Sequence, residues 1–196
     1  MSMLPWPERL SKNLKRLAGE DIEKQVMEGC ERLSTLEEKA LWAKKAIEKL
    51  DELVPDEITR HEIMAGCSCP CFPGERIAEL RSVYKKSKDI DELLGKMYKN
   101  PFYVKPIREG NTIYFTKAPY DSEKFKQAKT QREKRFCYCH CEYARAAKDR
   151  ISVTFCYCGA GWYKHILEGI LEKPLKVTLA KSVLQGDDIC QIAVHF

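Results

Sequence analysis

The chain has 196 residues, enough for one domain with a real core or for a helical lobe joined to one. It is 44% hydrophobic and 32% charged, an ordinary globular composition, and 34 basic against 29 acidic residues leave a net charge of only +5. A nucleic-acid footprint is more basic and more clustered, no apolar run reaches the roughly 20 residues of a membrane span, and no signal-peptide core opens the sequence; the expectation is a cytoplasmic protein with neither nucleic acid nor membrane as partner.

The first half reads as helices. Residues 13–33 are mixed helical sequence with Gly19 as a break. Ser34-x-x-Glu37 is a capping box, and Leu36, Ala40, Ala43, Ile47, Leu50 and Val54 follow at helical spacing. Pro55, with Asp56 and Glu57 behind it, marks the next helix start, and Gly66 ends that segment. CSCPC follows at 67–71 as a loop, kept irregular by Pro70, Pro73 and Gly74. Ile77, Leu80, Val83 and Tyr84 predict a short helix, and residues 89–98 another.

At Asn100-Pro101 the character changes. Residues 102–107 and 112–116 are β-rich and joined by Arg108-Glu109-Gly110-Asn111, a hairpin signal. Residues 120–132 are polar and fit a helix or a mobile loop. Residues 135–141 and 151–158 read as two further strands. Gly159-Ala160-Gly161 opens a helix that ends near Glu172, stopped by Pro174. Residues 175–184 and 189–196 form a last hairpin around Gln185-Gly186-Asp187-Asp188. Leu175, Val177, Leu179 and Val183 share one face of its first strand; Cys190, Ile192, Val194 and Phe196 share one face of its second. The expected class is α+β. A helical region (1–100, with the Cys loop 67–71) and an antiparallel β-sheet region with one packed helix (101–196) form one compact unit.

Ten cysteines exceed what packing requires. A cytosolic chain keeps its thiols reduced, so clustered cysteines there bind metal or do redox chemistry more often than they form disulfides. Eight lie in three clusters at every second position: Cys67, Cys69 and Cys71; Cys137, Cys139 and Cys141; Cys156 and Cys158. Alternate residues of a flat strand sit about 6.5–7 Å apart, whereas two thiolates on one zinc approach to about 3.8 Å. One CxC strand therefore chelates poorly alone, and a composite site from paired CYCHC and CYC strands under the CSCPC loop is expected. Eight thiols also exceed the four of one zinc site or iron–sulfur cluster, so either two metals bind or some thiols do other work. Zinc and an iron–sulfur cluster suit four thiolates alike. Reversible disulfide chemistry and plain packing stay open beside them.

Cys30, in a helical stretch, reads as packing. Cys190, on the apolar face of the last strand, is packing or an additional ligand. His140 lies inside CYCHC, but strand alternation turns it away from the three thiols. His61 and His165 fit helix surfaces, and His195 alternates away from the apolar face of its strand. No histidine has an obvious serine or aspartate partner for triad chemistry, and there is no Walker A motif or dinucleotide fingerprint. The glycines at the last helix start fit either an anion site or a tight strand-to-helix turn.

FCYCGAGWYKHILEGILEKPLKVTLAKSVLQGDDICQIAVHF, residues 155–196, resembles the end of 4-vinyl reductase-type ligand-binding domains. The matching positions are Cys156 or Cys158 at a strand end, Gly161-Trp162-Tyr163 at a helix start, and Gly186 with Cys190 in the final hairpin. The wider layout, helices first and CxC clusters after, resembles uncharacterised bacterial proteins near the L-2-amino-thiazoline-4-carboxylic acid hydrolase family. The resemblance implies an antiparallel sheet flanked by helices, with a small-molecule pocket between them. In zinc-bearing relatives a strand-end cysteine and the last hairpin's cysteines are ligands. Those positions match Cys156 or Cys158 and Cys190, but Ser182 stands where such relatives carry a cysteine. The CSCPC and CYCHC thiols are extra donors that can supply the missing ligands.

Three functional readings follow. The first is a metal-containing binding or sensor protein for an unknown small molecule, its pocket lined by Tyr138, Tyr157, Trp162 and Tyr163; a homodimer is compatible with it. The second is an enzyme, a hydrolase of the amino-thiazoline type or a thiol-dependent redox catalyst. It needs a low-pKa thiolate and a nearby base, and His140 is the only histidine beside a cluster. The third is a non-catalytic interaction domain, since Golgi-trafficking subunits share the fold type.

Overall fold

A computed structural model describes residues 5–69, 71–98, 104–147 and 150–196. Pro70 and the opening of the first expected strand, residues 102 and 103, lie outside the described residues.

The helical half forms as its spacing requires. α1 (Trp6–Ala18) and α2 (Glu20–Met27) part at Gly19, whose φ of 91° suits glycine alone. Cys30 sits in a 3-10 turn (Cys30–Arg32). α3 (Leu36–Leu53) is capped one residue later than the Ser34-Glu37 pattern suggests. Thr35 Oγ1 accepts from the Glu38 N–H, and the Glu38 carboxylate accepts from both N–H groups of Ser34 and Thr35 and from the Ser34 hydroxyl. That register recruits a third donor, which decides it. α4 (Glu57–Ala65) is capped by Asp56, whose carboxylate accepts from the Thr59 N–H at 2.8 Å. α5 (Gly74–Ser87) and α6 (Ile90–Met97, capped by Asp89) complete this half.

Both expected hairpins form, the first with its opening strand shifted: Arg108 and Glu109, expected in the connection, are in the strand, and residues 104–106 are not. β1 (Ile107–Glu109) pairs with β2 (Thr112–Thr116), and β3 (Lys176–Lys181) pairs with β4 (Gln191–His195). β2 also pairs with β4, so the antiparallel sheet runs β1-β2-β4-β3. Its register stacks Ile113, Val194 and Val177 in one row and Phe115, Ile192 and Leu179 in the next. α10 (Tyr157–Leu171) packs against β3 and β4 on one side and against α4 and α5 on the other. The fold is α+β, and a single core runs from Leu10 and Ile47 through Ile63 and Ile166 to Phe115 and Val194. Among the described residues, no helix is long and apolar enough to cross a membrane.

The two cysteine-bearing strands are a correction: both segments are helical. The polar stretch after β2 holds α7 (Ser122–Gln127). A second capping box, Thr130 with Glu133, then starts α8 (Gln131–Tyr138), which carries Cys137. Cys139 ends that helix, and Cys141 precedes α9 (Glu142–Ala146). The aromatic–cysteine alternation imitates a strand, but the cap and the polar helix formers behind it prevail. In the CYC segment, Ser152 Oγ accepts from the Thr154 N–H and starts a 3-10 turn (Val153–Cys156) that continues into α10. Asp51 of α3 fixes this entry. Its carboxylate accepts from the Ser152 and Thr154 hydroxyls at 2.5 and 2.7 Å, with Arg60 Nε 3.3 Å away.

Gly161 accordingly makes no strand-to-helix turn. A Cβ there would lie 2.0 Å from the Ala65 carbonyl oxygen, so α10 and α4 touch backbone to backbone. The CSCPC loop leaves the end of α4, directly beside that contact.

Candidate functional site

A cavity of about 1030 Å³ lies between the start of α10, the β3–β4 hairpin, the loop after α4 and the α8–α9 link, with the start of α1 at its edge. Its size is at the upper end for small-molecule sites. Seven cysteines from four segments line it: Cys69 and Cys71, Cys139 and Cys141, Cys156 and Cys158, and Cys190. Cys67 and Cys137 do not. Both are buried off the lining, and the Cys67 thiol donates to the Ile63 carbonyl at 3.2 Å, finishing α4. Cys137 lies within α8 and packs inward, whereas Cys139 and Cys141 stand in the extended link after it; Cys67 sits in the turn that closes α4, whereas Cys69 and Cys71 lie beyond it.

The lining thiols fall into neighbourhoods. Cys139, Cys156 and Cys190 are close enough that the ionised form of one opposes ionisation of another. The Cys156 thiol lies 3.2 Å from the Ser182 hydroxyl, which also interacts with Cys190. Ser182, 1% exposed, thus stands among the very cysteines where the resemblance expects a ligand. Cys158 faces the other way, its sulfur 3.5 Å from the Cys67 carbonyl and close to Trp6 and Arg9. Cys69 and Cys71 interact side chain to side chain.

Burial governs their acidity. It pushes the Cys156 thiol up to about 12, helped by Cys190 and opposed by the Ser182 hydrogen bond and Lys117. It pushes Cys158 up to about 11, with the Cys141 thiolate adding to the rise and Trp6, Arg9 and Lys117 opposing it. Cys139, Cys141 and Cys190 are raised by burial as well. Left to themselves these thiols are neutral at physiological pH. A bound metal supplies the positive charge that deprotonates such ligands, and soft sulfur donors fit zinc or an iron–sulfur cluster. Among the described residues, no three side chains of histidine, cysteine, aspartate or glutamate already converge on one ion position. The donor chemistry fits a thiolate-bound metal, then, while a single tetrahedral ion requires the side chains of Cys139, Cys156 and Cys190 to draw together.

Trp162, Tyr163 and Tyr138 line the cavity as expected, and the Tyr138 hydroxyl donates to the Lys117 carbonyl. Phe72 meets Trp162 edge-on at 5.9 Å, Trp162 meets Tyr163 at 4.9 Å, and Tyr163 leans on Phe115 at 4.7 Å. Tyr157 is not part of the wall. It is buried with its ring stacked on His61, centroids 3.4 Å apart. His140 borders the cavity, but its Nε2 is held by the Ala118 carbonyl at 2.9 Å and its ring meets Tyr120 edge-on.

Three residues escaped the sequence reading. Lys117 extends the β2–β4 ladder, its N–H donating to the Cys190 carbonyl at 2.9 Å. A Cβ on Gly159 would lie 2.9 Å from Lys117 Nζ, which places the ammonium against the first turn of α10. From there it lowers the pKa of all five of Cys139, Cys141, Cys156, Cys158 and Cys190. The signal was there to read: Ile113, Phe115 and Lys117 share one parity, so a lysine continues the buried face of a strand. Trp6 packs on Tyr143 and Phe155 at 5.5 and 5.4 Å, and its indole interacts with the Cys158 side chain. Arg9 borders the cavity while its Nε donates to the Cys67 carbonyl at 2.9 Å. Nothing local in the sequence marks either of them.

Compared with protein-family models, with curated proteins and with solved structures, the chain matches none.

Proposed function

We propose that this is a cytoplasmic protein that holds a small molecule in the cysteine-lined cavity, beside a thiolate-bound metal that is zinc or an iron–sulfur cluster. One observation carries the reading: seven thiols from four separate segments face one roomy cavity whose remaining wall is largely aromatic and aliphatic. Packing alone does not collect seven cysteines around empty space. Cys139, Cys156 and Cys190 are the residues that would hold the metal, with Cys141 beside them. All ten cysteines are free thiols, which suits a reducing compartment. The layout also agrees with the pocket between helices and sheet that the 4-vinyl reductase-type resemblance implies.

An enzymatic reading has less behind it. A nucleophilic thiolate needs a lowered pKa and a base. Here burial raises the cavity thiols, and His140 Nε2 is engaged by a backbone carbonyl. Elemental analysis and an optical spectrum of anaerobically purified protein test the proposal. About one zinc per chain, or an iron–sulfur absorption band, is expected, and Cys139→Ala with Cys156→Ala should abolish it. Metal-free protein whose ten thiols all titrate freely after unfolding would rule the metal out.

A further inference from the structure

We infer that the cavity selects an aromatic carboxylate, seating the anionic group at Lys117 Nζ and the ring system among Phe72, Tyr98, Trp162 and Tyr163. This rests on the small-molecule reading above and is independent of which metal is bound.

The charge pattern comes first. The lining carries three cationic side chains, Arg9, Lys117 and Lys181, against one carboxylate, Glu142. Lys117 is half-buried and has neither ion pair nor side-chain hydrogen bond at Nζ among the described residues. Its ammonium rests on the first turn of α10. An unpaired ammonium at the wall of a largely apolar cavity is best satisfied by an anion. An oxyanion satisfies such a donor; an alcohol or a hydrocarbon leaves the ammonium unpaired.

The body of the ligand is set by the opposite wall. Phe72, Trp162 and Tyr163 form a chain of edge-on contacts, and Tyr98 reaches the same group through Phe115 at 5.9 Å. Met97, Ile166, Leu167 and Ile192 also line the cavity. Flat aromatic faces and edges are met best by another ring system. The volume of about 1030 Å³ admits one of several fused rings with space to spare.

The test is calorimetric titration of the full chain, as purified, with two matched pairs: 2-naphthoate against 2-naphthylmethanol, and 1-pyrenecarboxylate against 1-pyrenemethanol. Within a pair only the charged group differs. The acid should bind more tightly than its alcohol by on the order of 10- to 100-fold, the range of a charge-assisted hydrogen bond. Lys117→Met should bring the ratio near one, and Lys117→Arg should keep it. Gly159→Ala places a methyl at the ammonium and gives a second reading if Lys117→Met fails to fold; it should weaken the acids and spare the alcohols. Equal binding of acid and alcohol by the native chain overturns the inference and leaves the cavity reading standing. So does a preference that survives Lys117→Met, including the case in which that variant only loses metal. If no member of either pair binds, the small-molecule reading falls and this inference with it.

Discussion

Replacing Gly161 by alanine probes the contact on which the site depends. Two effects oppose each other. Alanine is the better helix former by about 1 kcal/mol, so a glycine in the middle of α10 ought to gain from the change. Against this, the new Cβ would stand 2.0 Å from the Ala65 carbonyl oxygen and 2.6 Å from two further backbone atoms of Ala65. Ordinary contact begins near 3.4 Å. The clash is with backbone, so no side chain can rotate away, and α4 and α10 must part by about 1.4 Å. Overpacking of this kind costs about 3 kcal/mol at the upper end of its usual range. Subtracting the propensity gain leaves a loss of about 2 kcal/mol, or about 4–8 °C in Tm for a chain of this size. Urea unfolding followed by far-UV circular dichroism measures it. Gly95→Ala in α6, where a Cβ meets nothing within 4 Å, is the matched control and should be neutral or stabilising by up to about 1 kcal/mol. A Gly161→Ala protein as stable as the native chain, with the control behaving as stated, would mean that the backbone contact does not exist.

Ser182→Cys should complete a thiol group with Cys139, Cys156 and Cys190 and tighten zinc binding by about tenfold, or about 1.4 kcal/mol, in competition with a chromophoric chelator. An unchanged affinity removes Ser182 from the ligand neighbourhood. Glu38 gives a pH signature. Hydrogen bonds from the Thr35 N–H, the Ser34 hydroxyl and the Ser34 N–H hold its carboxyl at about 2 instead of the ordinary 4.5. A folded-state pKa below the unfolded one adds stability that is present above about pH 4.5 and disappears as pH falls towards 2. Glu38→Gln keeps acceptors for the cap without titrating, so its urea midpoint should fall less steeply over that window; identical slopes would count against the cap.

What could be read in advance follows from which signals were local. The helical half was legible because α3 repeats its apolar residues at helical spacing and because Pro55 and Gly66 bracket α4. The hairpins were legible from alternation around Gly110 and Gly186, both at positive φ. The CYCHC and CYC segments misled because tyrosine next to cysteine imitates strand alternation. The overriding cues were single residues, Thr130 with Glu133 and then Ser152, each acting through one or two hydrogen bonds. That error misplaced one predicted donor. On strands of one parity Cys137, Cys139 and Cys141 share a face, but in α8 Cys137 turns into the core while Cys139 and Cys141 reach the cavity. Trp6 was out of reach for another reason: its place beside Cys158 is set by packing between residues 152 apart, which no local pattern records.

The same geometry explains why a composite site needs so much of the chain. Cys69 and Cys71 hang from the end of α4, Cys156 and Cys158 from the start of α10, and Cys190 from the strand that pairs with the one leading into Lys117. None of these segments is held to another by a covalent link. Their spacing is set by the absence of a side chain at Gly161, by the Asp51 bonds to Ser152 and Thr154, and by the Cys190–Lys117 ladder bond. A methyl group at Gly161 therefore does more than unsettle a helix pair: it carries the CSCPC loop away from Cys158. If the cavity works as proposed, metal content and affinity for the ring compounds should respond differently to that shift, acid and alcohol weakening alike. The proposed metal donors Cys139, Cys156 and Cys190 lie outside the CSCPC loop and should keep their arrangement, whereas the aromatic wall contains Phe72 from the displaced loop and should loosen its hold on the ring.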